Sequence, residues 1–403
     1  MPALRRACRI GPLAAAVLAA FGCTEAPGAA QPASPPTSLS LEQEAALGRS
    51  PVELKNFYRD LQKLEARQLD HVHILQLGDS HTAGDVLTGH LRELFQQRFG
   101  DAGRGLMPPG LAFEGLRQVE VKVSQTGRWQ IDNSLTKPEG GPYGLTGFTA
   151  RNLAAGATMA VQSTDPNGFD IAVVDYLQRP GGGTFDVLLD GKPTGRAATA
   201  AASIRPQHLI MAAPTGTTEL TVVAKTPGVA ITGWAIERRS RGVLYESQGV
   251  VSSTAGLFRH WSPDIVRRDI QGIQPALIVL AYGTNEGFAP EFDAQAYAAT
   301  FAELLSELRR AAPQASILII APPDGQRVDP GCPNRRTDAM ECQWSTPSAL
   351  ATVRMIQRNA AIANGCAYWD WSTLMAGPGG IDRWARLDPP LARQDHVHFT
   401  LDG

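Results

Sequence analysis

Short apolar runs alternate with amphipathic helical patterns near both ends of the chain. Residues 51–68 place apolar side chains at helical spacing, residues 73–77 (HILQL) form an apolar run of strand length, and residues 86–99 return to helical spacing. The alternation resumes after residue 260, with predicted strands at 276–281, 316–321 and 368–371 and predicted helices at 294–311 and 349–363. Apolar strands separated by helices of this length predict a parallel sheet covered on both faces, and therefore an α/β fold with a three-layer α/β/α core.

The middle of the chain has a different pattern. Helical periodicity is weak between residues 115 and 241, and turn signals such as PGGG (180–183) and DGKP (190–193) separate short β-rich runs. The predicted strands lie at 119–123, 157–162, 169–176, 184–189, 208–212, 219–223 and 228–236. This density of strands favours a β-sandwich of the jelly-roll type. Because α/β patterns flank it on both sides, we predict a β-sandwich domain at 115–241, inserted into an α/β domain made of residues 51–114 and 242–403.

Composition excludes some classes of protein. The chain has 403 residues, of which 43% are apolar and 19% charged, so it can bury a sizeable core. Its formal net charge of −2 leaves no cationic surplus to neutralise a phosphate backbone. We therefore expect no nucleic acid among its main partners.

The first residues have the pattern of an export signal. Arg5, Arg6 and Arg9 precede an apolar run at 13–21 that is too short to span a bilayer. The run ends in AFGC, which resembles a bacterial lipobox with alanine at the usual leucine position, so residues 1–23 are interpreted as a signal peptide and Cys23 as a possible lipid anchor. Plain cleavage nearby, for example after Ala30, is the alternative. Residues 24–50 then form a flexible tether, and the protein is expected in the periplasm, membrane-anchored or soluble.

Cysteine usage follows from that compartment. Cys332, Cys342 and Cys366 remain once the signal and the candidate lipid site are set aside. An oxidising periplasm favours a disulfide between Cys332 and Cys342, which flank a polar loop, although three thiols allow three pairings. A zinc site is the alternative, but the loop contains no histidine.

Candidate chemistry lies at the ends of the predicted strands. Ser80 follows one strand and precedes a helix, a position that exposes a side chain at the carboxyl edge of a parallel sheet. A serine in such a turn is by itself common, and Thr82 breaks the G-x-S-x-G pattern of α/β-hydrolases. Asp395 stands three residues before His398, close enough to hold the imidazole in one tautomer. Alternatively, His396 and His398 would bind a metal.

A third piece follows the predicted strand at 276–281. The amide of Asn285 there could donate a hydrogen bond to a developing oxyanion. Taken together, GDSH (78–81), GTNE (283–286) and DHVH (395–398) resemble the SGNH subfamily of GDSL-type esterases. More narrowly, GDSHTAGD (78–85), FGDAGRGLMPPG (99–110) and the β-rich insertion look like periplasmic peptidoglycan O-acetylesterases.

The resemblance implies a flavodoxin-like parallel sheet and a role for each matched residue. Ser80 would be the nucleophile, His398 the general base and Asp395 the residue that orients it. The oxyanion hole would consist of the Ser80 N–H, the Gly249 N–H and the Asn285 amide; Gly242 and Gly256 are rivals to Gly249. No metal or organic cofactor is implied.

Two departures from the family pattern stand out. Glu286 replaces the usual aspartate after Asn285, at a position that supports the loop. The sequence ends soon after His398, where the family usually continues into a closing helix, so either the sequence is a fragment or the loop lacks its usual support. Residues 400–403 resemble the start of that helix.

The function implied by the resemblance is removal of O-acetyl groups, at the C6 hydroxyl of muramic acid in peptidoglycan, through an acetyl-serine. The alternatives are an O-acetyltransferase or acetylesterase acting on another exported polysaccharide, and a non-catalytic glycan-binding or assembly protein. We expect a monomer. The insertion would grip the polymer, with Trp129, Tyr143 or Tyr176 as candidates to stack on sugar rings.

Overall fold

A computed structural model describes residues 52–328 and 344–403 of the chain. The predicted signal, the possible lipid site at Cys23, the tether and the pair Cys332 and Cys342 lie outside the described residues. Cys366 lies within them as a buried free thiol. None of the described helices combines the length and the apolar character needed to cross a membrane.

The described segments contain helices and strands that we number separately in chain order. The helices are α1 Lys55–Glu65, α2 Ser80–Ala83, α3 Leu87–Phe99, α4 Pro263–Ile273, α5 Thr284–Gly287, α6 Ala294–Ala311, α7 Ala349–Ala363, α8 Trp371–Leu374 and α9 Gly380–Ala385. The strands are β1 His71–Gly78, β2 Gly103–Met107, β3 Val121–Thr126, β4 Trp129–Asn133, β5 Phe148–Asn152, β6 Thr158–Ser163, β7 Phe169–Gln178, β8 Thr184–Leu189, β9 Lys192–Ala198, β10 Arg205–Thr217, β11 Glu219–Ala224, β12 Ala230–Glu237, β13 Gly242–Gly249, β14 Leu277–Ala281, β15 Ser316–Ala321, β16 Arg327–Val328, β17 Trp344–Ser345 and β18 Ala367–Asp370.

The predicted parallel sheet is confirmed. Five strands run in the order β13-β1-β14-β15-β18, and every neighbouring pair is parallel. The apolar strands are buried on both faces: Ile278 and Leu280 pack with α4, α6 and α7, whereas Leu277 and Val279 pack with α1, α3 and α9. This is the three-layer α/β/α core that the continuous apolar runs predicted.

The edge strand β13 was not predicted from the sequence. All eight of its residues are buried, but three of them are polar, which hides the apolar run. Glu246 faces His73 Nδ1 at 3.1 Å, the Ser247 hydroxyl donates to Asp85 at 3.1 Å, and the Gln248 amide donates to the Leu106 carbonyl at 2.7 Å. Each of these three side chains therefore has at least one partner that only the folded chain provides.

The predicted inserted β-sandwich is also confirmed. One antiparallel sheet has the order β10-β7-β12-β5-β4, with β2 also paired to β12, and the other has the order β3-β6-β11-β8-β9. Their facing sides bury a common core that includes Met107, Phe185 and Trp234. Strand β2 lies before residue 115, the predicted start of the insertion, so the first sheet incorporates a segment that the sequence assigned to the α/β domain.

The prediction that Tyr143 and Tyr176 are exposed and stack on sugar rings is wrong. Tyr143 is fully buried and donates its hydroxyl to the Lys137 carbonyl at 2.6 Å. Tyr176 is 8% exposed and packs edge-on against Phe185 in the sandwich core. Trp129 is half-buried, with its indole N–H bonded to the Thr158 carbonyl at 3.0 Å. Because the Tyr143 and Tyr176 rings are buried, they are unavailable to a glycan.

Helix α4 joins the two parts through a buried polar contact. Asp269 on α4 accepts a hydrogen bond from the Leu145 N–H at 3.0 Å, and His208 Nδ1 bonds to Asp175 in the sandwich sheet. Burial, followed by the nearby charge of Asp175, raises the pKa of Asp269 to about 7, although the Leu145 N–H, His208 and Arg268 oppose the rise. A carboxyl group at this junction therefore titrates near neutral pH.

We expect the Asp269→Asn variant to gain stability relative to the wild type as the pH rises through about 7. A carboxyl whose pKa is raised from 3.8 to about 7 in the folded state stabilises that state fully below its ordinary pKa, and this contribution is lost as the pH rises through the folded value. Asparagine does not titrate and keeps an oxygen for the Leu145 N–H. The measurement is the free energy of unfolding in urea at a series of pH values.

The control is Asp264→Asn on the same helix, where the side chain is 78% exposed. Its stability relative to the wild type should not vary with pH over this range. A parallel pH dependence for wild type and Asp269→Asn would show that Asp269 does not titrate as its surroundings indicate.

Candidate active site

The candidate nucleophile stands on a tight turn between β1 and α2. Asp79 follows the last residue of β1 and is the N-cap of α2. Its Oδ1 accepts a hydrogen bond from the His81 N–H at 3.0 Å, so Ser80 is the first residue of the helix. A Cβ on Gly78 would lie 2.2 Å from Thr82 Oγ1, which leaves room for glycine alone. The turn therefore brings the Ser80 hydroxyl to the carboxyl edge of the parallel sheet.

A hydrogen-bonded chain links Ser80 to the end of the sequence. Ser80 Oγ lies 2.9 Å from His398 Nε2, and His398 Nδ1 lies 2.9 Å from Asp395 Oδ2. The other carboxylate oxygen, Asp395 Oδ1, accepts the backbone N–H groups of Val397 and His398, each at 2.9 Å. The structure thus brings the three predicted residues together across 318 positions of sequence.

The electrostatics of Asp395 suit a group that orients a histidine. Partial burial acts to raise the pKa of Asp395, but the bonds from the His398 ring and from the backbone N–H groups of His398 and Val397 outweigh it. The pKa of Asp395 is consequently well below its usual range. The carboxylate stays ionised and accepts a hydrogen bond from the His398 Nδ1–H, which fixes the tautomer in which the unprotonated Nε2 faces Ser80.

The two histidines of the DHVH segment have separate environments. His396 is 4% exposed, its ring stacks on Trp344 with centroids 3.8 Å apart, and its Nδ1 lies 3.3 Å from Gln326 Oε1. His398 points instead to Ser80. Among the residues that the structure describes, no three His, Cys, Asp or Glu side chains are grouped as metal ligands.

The loop that carries His398 is closed by short backbone contacts. Ala392 bridges to Phe399, and the Thr400 N–H donates to the Leu391 carbonyl at 3.0 Å. Residues 400–403, which the sequence suggested as the start of a helix, continue this loop instead. The backbone bond from Thr400 to Leu391 belongs to this loop pairing and not to a helix. The pairing keeps Phe399 next to His81 of α2.

Three strand ends meet beside the nucleophile. Gly78 is paired with Gly249 of β13 on one side and with Ala281 of β14 on the other. A Cβ on Gly249 would come within 2.2 Å of the Ala83 nitrogen, so a glycine is needed where α2 crosses β13. Of its rivals, Gly242 lies at the opposite end of β13 and Gly256 in the 3₁₀ helix Ala255–His260. The register therefore places Gly249 at the edge that carries Ser80 and Gly242 at the far end of the strand.

Asn285 lies at the same edge, in the short helix α5 after β14. Its Nδ2 donates to the Ser253 carbonyl at 2.7 Å, which orients the amide. The next residue, Glu286, accepts the Ala255 N–H at 2.7 Å, and burial raises the pKa of Glu286 to about 7. Both side chains hold the segment that follows Gly249, which gives a physical role to the departure from the family pattern at Glu286.

A buried ionic cluster beneath the site was missed from the sequence. Asp85, 2% exposed, accepts from Arg92 at 2.7 Å, from Arg104 at 3.1 Å and from the Val119 N–H at 2.8 Å. Burial acts to raise the pKa of Asp85, but the two arginines outweigh this effect and lower it. The sequence contained a clue to this cluster, because the charged residues Asp85 and Arg104 lie inside the segments GDSHTAGD (78–85) and FGDAGRGLMPPG (99–110). Their meeting ties α3, β2 and the segment before β3 together.

A cavity of about 940 Å³ lies beside the hydrogen-bonded pair of Ser80 and His398. Ser80 and His398 line it together with Trp371, Val251 and Phe113. This volume is near the upper end of the roughly 300–1,000 Å³ that is typical of ligand sites. A substrate much larger than an acetyl group could therefore approach the serine.

Residues 222–403 match the model of the GDSL-like lipase/acylhydrolase family. A solved structure described as a peptidoglycan O-acetylesterase is 25% identical, with 89% of this chain and 92% of that chain covered and a TM-score of 0.71. An active-site mutant of a family two carbohydrate esterase from Clostridium thermocellum is 12% identical, covers 70% of this chain and 93% of its own, and has a TM-score of 0.29. None of the curated proteins matches the sequence.

We expect His396→Ala and His398→Ala to separate stability from activity. The buried His396 ring stacks on Trp344, so its removal should lower the free energy of unfolding by about 2–4 kcal/mol, while the folded variant retains substantial esterase activity. The His398 side chain is 36% exposed, so its removal should leave stability nearly unchanged and abolish turnover. Urea unfolding and hydrolysis of a small acetyl ester measure the two effects. Loss of turnover in His396→Ala but not in His398→Ala would instead make His396 the base.

Proposed function

We propose that this chain, a carboxylic ester hydrolase whose residues 222–403 match the GDSL-like lipase/acylhydrolase model, removes O-acetyl groups from peptidoglycan. The proposed linkage is the acetyl ester at C6 of muramic acid. The observation that carries the proposal is the chain of hydrogen bonds from Ser80 through His398 to Asp395, which faces a cavity large enough for part of a glycan.

In the proposed acylation, His398 Nε2 takes the Ser80 proton while Ser80 Oγ attacks the acetyl carbonyl carbon. Asp395 stabilises the imidazolium that forms. The Ser80 and Gly249 N–H groups and the Asn285 amide would stabilise the negative oxygen, at about 3 kcal/mol for one donor. The imidazolium then gives its proton to the departing sugar oxygen, which leaves a sugar hydroxyl and acetyl-Ser80.

Deacylation repeats these steps with water as the nucleophile. His398 takes a proton from water, the hydroxide attacks the acetyl carbonyl, and the proton returns to Ser80 Oγ as acetate leaves. A sugar hydroxyl in place of water would give transfer of the acetyl group to a second glycan. The products, acetate or an acetylated acceptor, distinguish these two reactions.

The choice of peptidoglycan rests on the similarity to the peptidoglycan O-acetylesterase structure, which extends over 89% of this chain and so includes the insertion. The cavity adds support, because Phe113, Arg117 and Glu120, from the segment leading into the sandwich, line it beside Ser80. Contacts at a distance from the reacting ester would favour a polymer over a small ester. The signal pattern of residues 1–23 supports a periplasmic location, where such a polymer occurs.

We expect Ser80→Ala to lower kcat for a small acetyl ester by about 10⁴-fold or more, because no other group replaces the attacking oxygen. Its matched control is Ser203→Ala, an exposed serine of the sandwich, which should retain full activity. Rapid acid quenching of the wild type should yield a Ser80 peptide carrying one acetyl group. Retention of more than a few per cent of activity by Ser80→Ala would overturn the nucleophile assignment.

The substrate is tested by acetate release from purified O-acetylated peptidoglycan and from acetylated xylan at matched acetyl content. The proposal predicts a higher kcat/KM on peptidoglycan for the wild type and no release from either by Ser80→Ala. Equal rates on both polymers would contradict the peptidoglycan assignment. Acetyl transfer to an added glycan acceptor in place of acetate release would identify a transferase.

A further inference from the structure

His81 bridges the nucleophile turn and the loop that carries His398. Its Nδ1 lies 3.2 Å from Asp79 Oδ1, and its Nε2 lies 3.0 Å from the Val397 carbonyl oxygen. The side chain is 6% exposed. One buried ring therefore contacts both segments whose alignment sets the distance from Ser80 to His398.

The two partners determine how many protons the ring carries. A carbonyl oxygen only accepts, so Nε2 must donate to Val397. The Asp79 carboxylate also only accepts when ionised, and its Oδ1 already receives the His81 backbone N–H. A neutral imidazole would turn a lone pair toward that oxygen. The geometry therefore requires a proton on both ring nitrogens, and hence a positive charge balanced by Asp79.

The surroundings of the ring are aromatic and contain few charges. The His398, Phe399 and Trp371 rings lie 5.3, 5.4 and 5.7 Å from it between centroids. The ionisable groups that face it are Asp79 from the turn and Asp395 and His398 from the base loop. Burial acts to lower the pKa of His81, but the bond and charge of Asp79 and the Val397 carbonyl outweigh burial and raise it.

We propose that His81 is a positioning residue that acts as a doubly protonated imidazolium: its Nε2–H aligns the base loop on Ser80, and its Nδ1–H holds the ring on Asp79. The inference rests on the proposed role of His398 as the base. Val397 directly precedes His398, and its N–H donates to Asp395. The bond from His81 to the Val397 carbonyl therefore fixes the peptide group between Val397 and His398.

Two variants separate alignment from charge. His81→Gln keeps an amide N–H for the Val397 carbonyl but removes the charge, whereas His81→Phe keeps a ring but removes both. We expect His81→Gln to retain kcat within about three-fold, and His81→Phe to lose about 100-fold in kcat with little change in KM, because misalignment affects the reacting atoms.

The matched control is His71→Phe, at the start of β1, the strand that leads into the nucleophile turn, which should leave kcat and KM unchanged. Wild-type kcat in His81→Phe would overturn the inference. So would equal kcat losses in the Gln and Phe variants, since alignment would then not depend on the bond to Val397.

A measurement on the wild-type protein does not depend on activity. In protein labelled with ¹⁵N-histidine, the side-chain nitrogen shifts of His81, assigned by their loss in His81→Gln, should show both nitrogens protonated at neutral pH. A neutral tautomer would overturn the inference. If the wild type and Ser80→Ala both failed to hydrolyse acetyl esters, the proposed function would fail, and the nitrogen shifts would still decide the state of His81.

Discussion

The register of three parallel strands is the constraint on which the site depends. Pairing of Gly78 with Gly249 and with Ala281 brings three strand ends to one line at the carboxyl edge of the sheet. A slip of one residue in either pair would turn the following groups to the other face. Because Ser80, Gly249 and Asn285 each come within four residues of one of these ends, backbone pairing in the sheet brings together the nucleophile and all three predicted oxyanion donors.

Buried polar contacts fix that register where apolar packing would not. The Tyr245 hydroxyl donates to Gln76 at 2.6 Å, and Gln76 donates to Thr82 at 2.9 Å, which connects β13, β1 and α2 in one network. Asp85 with its two arginines ties the next turn to β2 and so to the sandwich. A buried charge that loses its partner costs about 3–5 kcal/mol. Networks of this kind therefore favour one alignment over others of similar hydrophobic burial.

The base loop depends on contacts from several parts of the chain. His396 rests on Trp344 and Gln326, the Val397 carbonyl accepts from His81, and Asp395 accepts two N–H groups of its own loop. The loop itself is not a helix or a strand, but backbone bonds close it, such as that from the Arg393 N–H to the His398 carbonyl at 2.8 Å. These backbone bonds and side-chain contacts together hold His398 beside Ser80.

The sequence by itself determined the layers of the fold and the identity of the candidate triad. Continuous apolar runs predicted β1, β14 and β15, because strands buried on both faces need apolar side chains at every position. The three motifs named Ser80, Asp395 and His398, because their chemistry depends on residue type and local spacing. Tertiary structure alone decided the rest. Strand β13 has polar residues that only long-range partners satisfy, β2 joins the sandwich through pairing with β12, and Tyr143 and Tyr176 are buried by neighbours distant in sequence. His81 lies inside the quoted GDSH segment, but the sequence did not indicate its proposed role, because that role depends on a carbonyl 316 residues away.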